Sequence, residues 1–320
     1  MFLCALLASV APLAVDAQTA APFPSKTITL VVPFTAGSGS DIIARIIQNK
    51  LQSRWGRPVI VDNKPGATGN LGANAVAKAA PDGHTLLMML NAFTMTPSLY
   101  RNLPFDPIAD FAPVAKLAEA SYAFAVSAGI SEKDVKSLIA YSKKNPGKLT
   151  YASPGNGSPQ HLGMELLKQD VGLDARHIPY KGIAGATTDL VGGHVDMMFG
   201  TLHSMLPQVQ AGKVHLIAVT GQSRNPLAPE VPTFKEQGID SMDTGDAWYG
   251  VMAPAQTSSE LVVRLNRDFV EVMNTDEVKT ALAKQGLSVR TSSPAQLASL
   301  VKSEIARWKK VVTVAGITAD

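Results

Sequence analysis

The sequence predicts an α/β fold in which two lobes enclose a cleft. The length of 320 residues exceeds the size at which a chain usually keeps a single core. β-Branched runs alternate with helical patterns along the chain, which indicates strands and helices in turn and a buried parallel sheet. A strand, a Gly/Ser loop and a helix follow one another twice, around residue 37 and around residue 155. We therefore expect one such unit in each lobe.

Composition and charge argue against several classes of protein. The 29 Lys and Arg residues nearly balance the 26 Asp and Glu residues, and no basic block with interleaved aromatic residues occurs. Nucleic acid is therefore not expected as a partner. Charged residues make up 17% and aromatic residues 6% of the chain. These low values are typical of helices packed on buried parallel strands, so disorder is not expected.

The N-terminal residues have the pattern of an export signal. An apolar stretch at 2–15 ends in Val15-Asp16-Ala17, a small-residue pattern that a signal peptidase can cleave. A signal peptide at 1–17 predicts a periplasmic protein. The alternative, a buried N-terminal helix, is disfavoured by the helix-poor run 18–25. The only cysteine, Cys4, lies inside the predicted signal and too near its start to be a lipidation site, so no thiol or disulfide chemistry is expected.

The first lobe begins with a β-branched run from Thr27 to Phe34, which predicts a strand. A Gly/Ser loop at 35–41 follows it. Apolar residues then recur at helical spacing from Ile42 to Leu51, and Gly56 ends the helix. The alternation continues with a strand at 58–62, a loop at 63–69, a helix at 70–80 and a strand at 84–90.

Residues 111–127 form a long extended stretch, which we expect to cross into the second lobe. A second α/β series follows, with helices at 135–145, around Leu162, at 185–191 and at 204–210, and strands at 149–153, 177–180, 195–199 and 215–220. The tail has a strand pattern at 248–252 and helical patterns at 261–274, 277–285 and 294–315. Because two crossings make a hinge, we expect the tail to return to the first lobe. The predicted lobes are 26–121 with 247–320, and 122–246.

The two Gly/Ser loops are the strongest indication of a binding site. A helix N-terminus presents unpaired N–H groups and a partial positive charge, so it stabilises an anion without Lys or Arg. Glycines let the backbone approach a ligand and serines add hydroxyl donors; the residues concerned are Gly37, Gly39, Gly155, Gly157, Ser38, Ser40 and Ser158. Either loop alone is also explained as a tight, capped turn. Two loops, one in each lobe, favour a shared carboxylate site.

Histidines and aromatic residues supply further candidates. His203 follows the strand that ends at residue 199, at the edge of the sheet where α/β ligands gather, although an N-capping role explains it equally well. Four aromatic residues fall at predicted strand ends, where they would form an apolar wall: Phe34, Phe93, Trp248 and Tyr249. We expect at least two of the four to be core residues.

Motifs of several enzyme classes are missing. The first loop lacks the third glycine of a dinucleotide site, and neither a phosphate-loop lysine motif nor a G-x-S-x-G elbow occurs. The six histidines show no zinc spacing. No cofactor or metal is therefore expected. Ser158 and His161 lie close in sequence, so a serine hydrolase remains an alternative that needs a placed acid and an oxyanion hole.

Motifs spread in order over nearly the whole mature chain resemble the Bug-type receptors of tripartite tricarboxylate transporters. They are the run from Pro24 to Lys26, Val31-Val32-Pro33-Phe34 with 37–41, 62–67, Ala80-Pro81-Asp82-Gly83, 97–100, 151–158 with His161, 179–182 and Trp248-Tyr249-Gly250. The resemblance implies a type II periplasmic-binding-protein fold with a hinge of two crossings, no enzymatic activity and no metal. It further implies that a small carboxylate is held by 34–40 and 155–158 and passed to the membrane subunits of a transporter.

One departure from the family pattern concerns the ligand. Many members have an Asp after the strand that here ends at Phe199, whereas this chain has Gly200. We therefore expect a ligand bulkier than an amino acid. Dicarboxylates fit this expectation, including aromatic dicarboxylates such as terephthalate. The full set of predicted ligand-binding residues is Phe34, Thr35, Ala36, Gly37, Ser38, Gly39, Ser40, Asn91, Phe93, Gly155, Asn156, Gly157, Ser158, His161, Gly200, Thr201, His203 and Trp248. A monomer is expected, and a sensor subunit that signals to a membrane kinase is the alternative to a transport receptor.

Overall fold

The computed structural model describes residues 23–242 and 246–318, so the predicted signal peptide lies outside the described residues. The strands are β1 (Ile28–Val32), β2 (Val59–Asn63), β3 (Thr85–Leu90), β4 (Phe111–Ala120), β5 (Tyr122–Ser127), β6 (Thr150–Ser153), β7 (Arg176–Pro179), β8 (Met197–Thr201), β9 (Val214–Val219), β10 (Ala247–Pro254) and β11 (Ser288–Val289). The helices are α1 (Gly39–Trp55), α2 (Asn70–Ala77), α3 (Ala92–Leu99), α4 (Val135–Lys144), α5 (Pro159–Val171), α6 (Ile183–Val191), α7 (Leu202–Gln210), α8 (Ser259–Met273), α9 (Asp276–Ala283) and α10 (Pro294–Ala315).

The first lobe is built on a six-stranded sheet in the order β11-β4-β10-β3-β1-β2. β1 pairs in parallel with β2 and β3, while β10 pairs antiparallel with β3 and β4. Apolar side chains on both faces of β1 are buried, because helices cover the sheet. α1 packs Ile43, Ile47 and Leu51 into the core and ends at Gly56, whose φ of 61° suits a left-handed cap.

The second lobe is built on a five-stranded sheet in the order β7-β6-β8-β5-β9. β6 pairs in parallel with β7 and β8, and β5 pairs antiparallel with β8 and β9. Its core contains the rings of Phe124, Phe199 and Phe234, which pack with centroids 5.2–6.0 Å apart. Both lobes thus have parallel strands followed by helices, with antiparallel strands inserted where the chain changes lobe.

The two chain crossings lie side by side. β4 and β5 are separated only by Ser121, so the predicted extended stretch is two strands that belong to different sheets. The chain returns to the first sheet at β10. Thr220 joins the crossings, because its hydroxyl accepts the Tyr122 N–H at 2.9 Å and also hydrogen-bonds the carboxyl group of Asp246. These contacts tie the two strands of the hinge together.

Helix α3 was not predicted, because Pro97 lies within it. A proline has no N–H to donate to the carbonyl four residues earlier, which is that of Phe93. The Thr96 hydroxyl donates to this carbonyl at 3.0 Å instead, so the helix keeps its hydrogen bonding. The two-residue strand β11 was also missed, since so short a strand has no readable alternation.

Helix α10 packs on both lobes. Leu297 and Val301 near its start lie in the core of the first lobe, with Trp248. Further along, Trp308 and Val311 form an apolar cluster with Met95 and Leu99 of α3 and with Leu162 of α5, which belongs to the second lobe. Within 23–242 and 246–318, no helix has the length and apolar character needed to cross a bilayer.

Candidate ligand-binding site

A cleft of about 640 Å³ separates the two lobes. Eleven of the eighteen predicted site residues line it: Phe34, Thr35, Gly37, Ser38, Gly39, Asn91, Gly155, Asn156, Ser158, Thr201 and His203. They come from both lobes, as the two-loop argument predicts. None of the described residues that line this cleft is Asp, Glu, Lys or Arg.

Five helices begin at the cleft, and their N-cap residues line it: Ser38 of α1, Asn91 of α3, Ser158 of α5, Gly182 of α6 and Thr201 of α7. The serines cap their own helices by accepting an N–H. In α3, α6 and α7 no side chain makes such a bond. First-turn N–H groups without intrahelical partners therefore meet at a cleft with no charged wall, an arrangement that favours an anion.

The first loop, residues 35–41, is held by the buried carboxylate of Asp41. This group accepts the Gly37 N–H at 2.9 Å, the Arg45 Nε–H at 3.0 Å and the Asn63 amide at 3.0 Å. Burial alone would raise the pKa of this carboxyl, but the hydrogen bonds from Arg45, Gly37 and Asn63 outweigh burial and lower the pKa. The loop is therefore anchored by an ionised group.

The second loop, residues 154–158, is held by two stacked histidines. Nδ1 of His161 accepts the Gly157 N–H at 3.0 Å. The rings of His161 and His177 lie 3.8 Å apart at 12°, and Nε2 of His177 is 2.7 Å from the Ser153 hydroxyl oxygen, which accepts an N–H of the loop. Burial lowers the pKa of both histidines to about 4, so this loop is anchored by neutral groups.

Two tyrosines form the part of the cleft next to the hinge. The Tyr249 hydroxyl lies against Gly39, where a Cβ would overlap it, and Tyr122 comes directly after the first crossing. Burial raises the pKa of Tyr249 to about 12 and also raises that of Tyr122, so both phenols keep their protons. Oδ1 of Asn91 is buried there without a hydrogen-bond partner. The two phenols therefore offer O–H donors to a ligand.

His203 lines the cleft from the second lobe and contacts the first. A Cβ at Gly286 would lie 2.7 Å from Cγ of His203, so this glycine leaves just enough room for the ring. Nδ1 of His203 is buried and has no partner, and burial lowers the pKa of the ring. The neutral ring of His203 thus joins the wall of the cleft to Gly286 in the first lobe.

Two predicted aromatic contacts are wrong. Phe93 is buried in a cluster with Phe105 and Phe111, whose ring centroids lie 5.9 and 5.2 Å from its own. Trp248 is 3% exposed and lines a second cavity of about 370 Å³ beside the crossings. The other two aromatic candidates, Phe34 and Tyr249, line the cleft. The expectation that at least two of the four are core residues is therefore confirmed.

The interpretation of Gly200 is also wrong. A Cβ at this position would lie 2.7 Å from the side chain of Met205, so a methionine fills the space that was expected to admit a bulkier ligand. Sequence order alone does not show this, because the methionine approaches from the following helix α7.

Four other predicted residues support the loops without lining the cleft. Ala36 points to solvent, and Ser40 is fully buried. Gly157 lies against Leu99 of the first lobe, and His161 is buried beneath the second loop. The lining residues that the sequence did not predict are Ile42, Thr68, Leu90, Ala92, Tyr122, Pro154, Pro159, Gln160, Gly182, Ile183, Ser204, Ala247, Gln285 and Leu287. Tyr249 was an aromatic candidate, but Trp248 was chosen for the predicted ligand-binding set. Strand alternation puts the two residues on opposite faces and does not say which of them faces the cleft.

The hydroxyl of Ser158 is not arranged as a nucleophile. It donates to the Gly155 carbonyl at 2.8 Å and accepts the His161 N–H at 3.3 Å. Nδ1 of His161 is occupied by the Gly157 N–H, so this nitrogen does not accept the Ser158 proton. Among 23–242 and 246–318, no group of three or more His, Cys, Asp or Glu side chains is placed to hold a metal ion.

Comparison with known proteins identifies the family. A family profile described as Tripartite tricarboxylate transporter family receptor matches residues 43–317. The chain belongs to this receptor family. BugT of Bordetella pertussis is 32% identical to the receptor over 318 residues, which make up 97% of each protein, so the predicted resemblance to Bug-type receptors is confirmed.

Solved structures of similar receptors confirm the two-lobed α/β fold. R. palustris Rpa4515 with adipate is 34% identical, has a TM-score of 0.80, and the match covers 92% of this chain and 99% of that one. MatC from Rhodopseudomonas palustris with bound malate is 33% identical, has a TM-score of 0.76, and the match covers 91% and 100%. This member of the receptor family is thus a periplasmic solute-binding protein.

Proposed function

We propose that this receptor binds a dicarboxylate in the cleft between its lobes and delivers it to the membrane subunits of a tripartite tricarboxylate transporter. The observation that carries the proposal is the meeting of five helix N-termini at a cleft whose described lining has no charged side chain. In such a place the negative charge of the ligand is stabilised by backbone dipoles instead of Lys or Arg. Both lobes contribute N-termini, so closing the cleft brings both sets onto one ligand.

A second polar end of the ligand would find partners near the hinge. Tyr122 and Tyr249 supply phenolic protons that a carboxylate can accept, and the ring of His203 lines the same cleft. Phe34 adds an apolar surface for the body of the ligand. Two relatives were solved with adipate and with malate, both dicarboxylates, which supports this class.

The ligand class is tested by calorimetry on receptor purified from the periplasm after expression of the full chain. We expect heats of binding with adipate, malate or terephthalate, and weaker or no binding with benzoate and with amino acids. A receptor that binds amino acids and no dicarboxylate would contradict the proposal. Sequencing the N-terminus of the purified protein tests the export signal, since cleavage after Ala17 is expected.

The partner is tested by recovering the receptor from membranes together with the proteins bound to it. We expect transporter membrane subunits, and recovery that increases with the ligand found by calorimetry. Recovery of a sensor kinase instead would contradict a transport role. Light scattering after gel filtration tests the proposed monomer.

A further inference from the structure

The two loops of the cleft have the same hydrogen-bond pattern. In the first loop the Gly37 N–H bonds to the side chain of Asp41, four residues later. In the second loop the Gly157 N–H bonds to the side chain of His161, again four residues later. In each loop the serine between them accepts the N–H of that same later residue, at 3.4 and 3.3 Å. Asp41 and His161 thus occupy equivalent positions.

The equivalent positions differ in their chemistry. Nδ1 of His161 can accept the Gly157 N–H only when the ring is neutral and its proton is on Nε2. If Nδ1 also carried a proton, two donors, Nδ1–H and the Gly157 N–H, would face each other. The hydrogen bond would be lost and the loop displaced. Since α5 begins directly after this loop, such a displacement would move the N-terminus that faces the cleft.

We propose that His161 is a positioning residue for ligand binding, whose neutral ring fixes the second loop and through it the N-terminus of α5. The consequence for the ligand rests on the proposed function, whereas the consequence for the loop does not. His161 makes no contact with the cleft itself, since its ring lies beneath the loop and stacks on His177.

Charged and titratable groups surround the ring from three elements. His177 of β7 stacks on it at 3.8 Å, and Tyr151 of β6 lies 6.2 Å away. On α5 itself, Glu165 favours the protonated ring and Lys168 disfavours it. Burial is the largest influence and lowers the pKa of His161 to about 4, so the ring is neutral at pH 7 and takes up a proton near pH 4.

Two substitutions separate the hydrogen bond from the packing. His161→Phe keeps a ring stacked on His177 but removes the acceptor. His161→Asn keeps a neutral acceptor that does not titrate, and Asp41 shows that a side chain of this length reaches the equivalent N–H. With adipate or malate as the probe, we expect His161→Phe to weaken binding at pH 7 by about tenfold or more, and His161→Asn by only a few fold. The ratio of wild-type to His161→Asn affinity should fall by about twofold or more from pH 7 to pH 4.

Amide hydrogen exchange tests the loop without any ligand. In His161→Phe, exchange at Gly157 should accelerate by about tenfold or more, while exchange at Gly37 should not change, because its acceptor is Asp41. If Gly157 exchanges at the wild-type rate in His161→Phe, or if His161→Phe binds ligand as wild type does, the proposal is wrong. If wild type binds no carboxylate, the proposed function fails, and the exchange experiment still decides the role of His161.

Discussion

The first and second loops present the same backbone pattern to the cleft but are anchored by opposite kinds of group. Asp41 holds the first loop as an ionised carboxylate, with Arg45 beside it. His161 holds the second as a neutral ring among other rings. Either a charged or a neutral acceptor can thus fix the same Gly–Ser turn before a helix.

The largest effect is expected from Asp41→Ala, which removes the anchor of the first loop. Gly37, Arg45 and Asn63 lose their shared acceptor, so we expect a loss of about 2 kcal/mol or more of unfolding free energy and about tenfold or more in ligand affinity. Urea unfolding and calorimetry measure both. Asp62→Ala is the control. Its ion pair with Lys64 is partly exposed, so the loss of unfolding free energy should be less than about 0.5 kcal/mol. Equal losses in the two variants would show that Asp41 is not an anchor.

Replacing the equivalent glycines by alanine should weaken ligand binding to different degrees in the two loops. Gly37 has a φ of 84° and Gly157 a φ of 72°, so each change costs about 1 kcal/mol of backbone strain. A Cβ at Gly37 would contact nothing within 4 Å, whereas one at Gly157 would lie 2.9 Å from the side chain of Leu99 in the other lobe. We therefore expect Gly157→Ala to impair closure and weaken ligand binding by about tenfold, and Gly37→Ala by less. Identical binding constants would contradict a contact between the lobes at Gly157.

The two anchors should respond to acid in different pH ranges. Burial lowers the pKa of His161 and His177 to about 4, below the ~6.5 of an unfolded chain. The unfolded chain therefore binds more protons, and stability falls as the pH drops from about 6.5 towards 4. The lowered pKa of Asp41 gives stability that is present above its unfolded value of ~3.9 and lost only at lower pH.

Unfolding free energies at pH 7 and pH 5 test this difference. Between pH 7 and pH 5, we expect the unfolding free energy of the wild type to fall by about 1 kcal/mol more than that of the double variant His161→Asn, His177→Asn. This figure is reduced because solvent that reaches the rings screens the effect. Asp41→Asn should leave the loss between these two pH values unchanged. A loss that disappears in Asp41→Asn instead would reverse the assignment of the anchors.

The smallest effect is expected from Gly200→Ala, in the wall of the second lobe. Its methyl group would meet the flexible side chain of Met205, which can move, so we expect less than about 1 kcal/mol of destabilisation and an unchanged order of ligand affinities. The same ligand panel measures this. A changed ligand preference would show that Gly200, and not the loop residues and His203, decides selectivity.

Local features of the sequence predicted most of the fold. Gly56 ends α1 as expected, and α10 covers the predicted 294–315, with Ser293 and Gln296 in a capping box. The two loops were also predictable, because a strand, a Gly/Ser turn and a helix are adjacent in sequence. These signals depend on neighbours within a few residues.

The remaining site residues depend on contacts between distant elements. Phe93 is buried because Phe105 and Phe111, which follow later in the chain, pack on its ring. The side chain of Met205 fills the space beside Gly200, and only the packing of α7 on β8 reveals this. Such contacts leave no periodic signal, so the sequence named the residues but not the direction in which they point.

Helix α10 links the two lobes by contacts outside the hinge strands. Trp308 and Val311 pack against Leu162 of the other lobe, and Arg307 donates to the Ser241 carbonyl at 2.7 Å. Opening the cleft by separating the lobes would expose these apolar side chains to water. The contacts of α10 therefore add the free energy of burying these side chains to whatever a ligand contributes to closure.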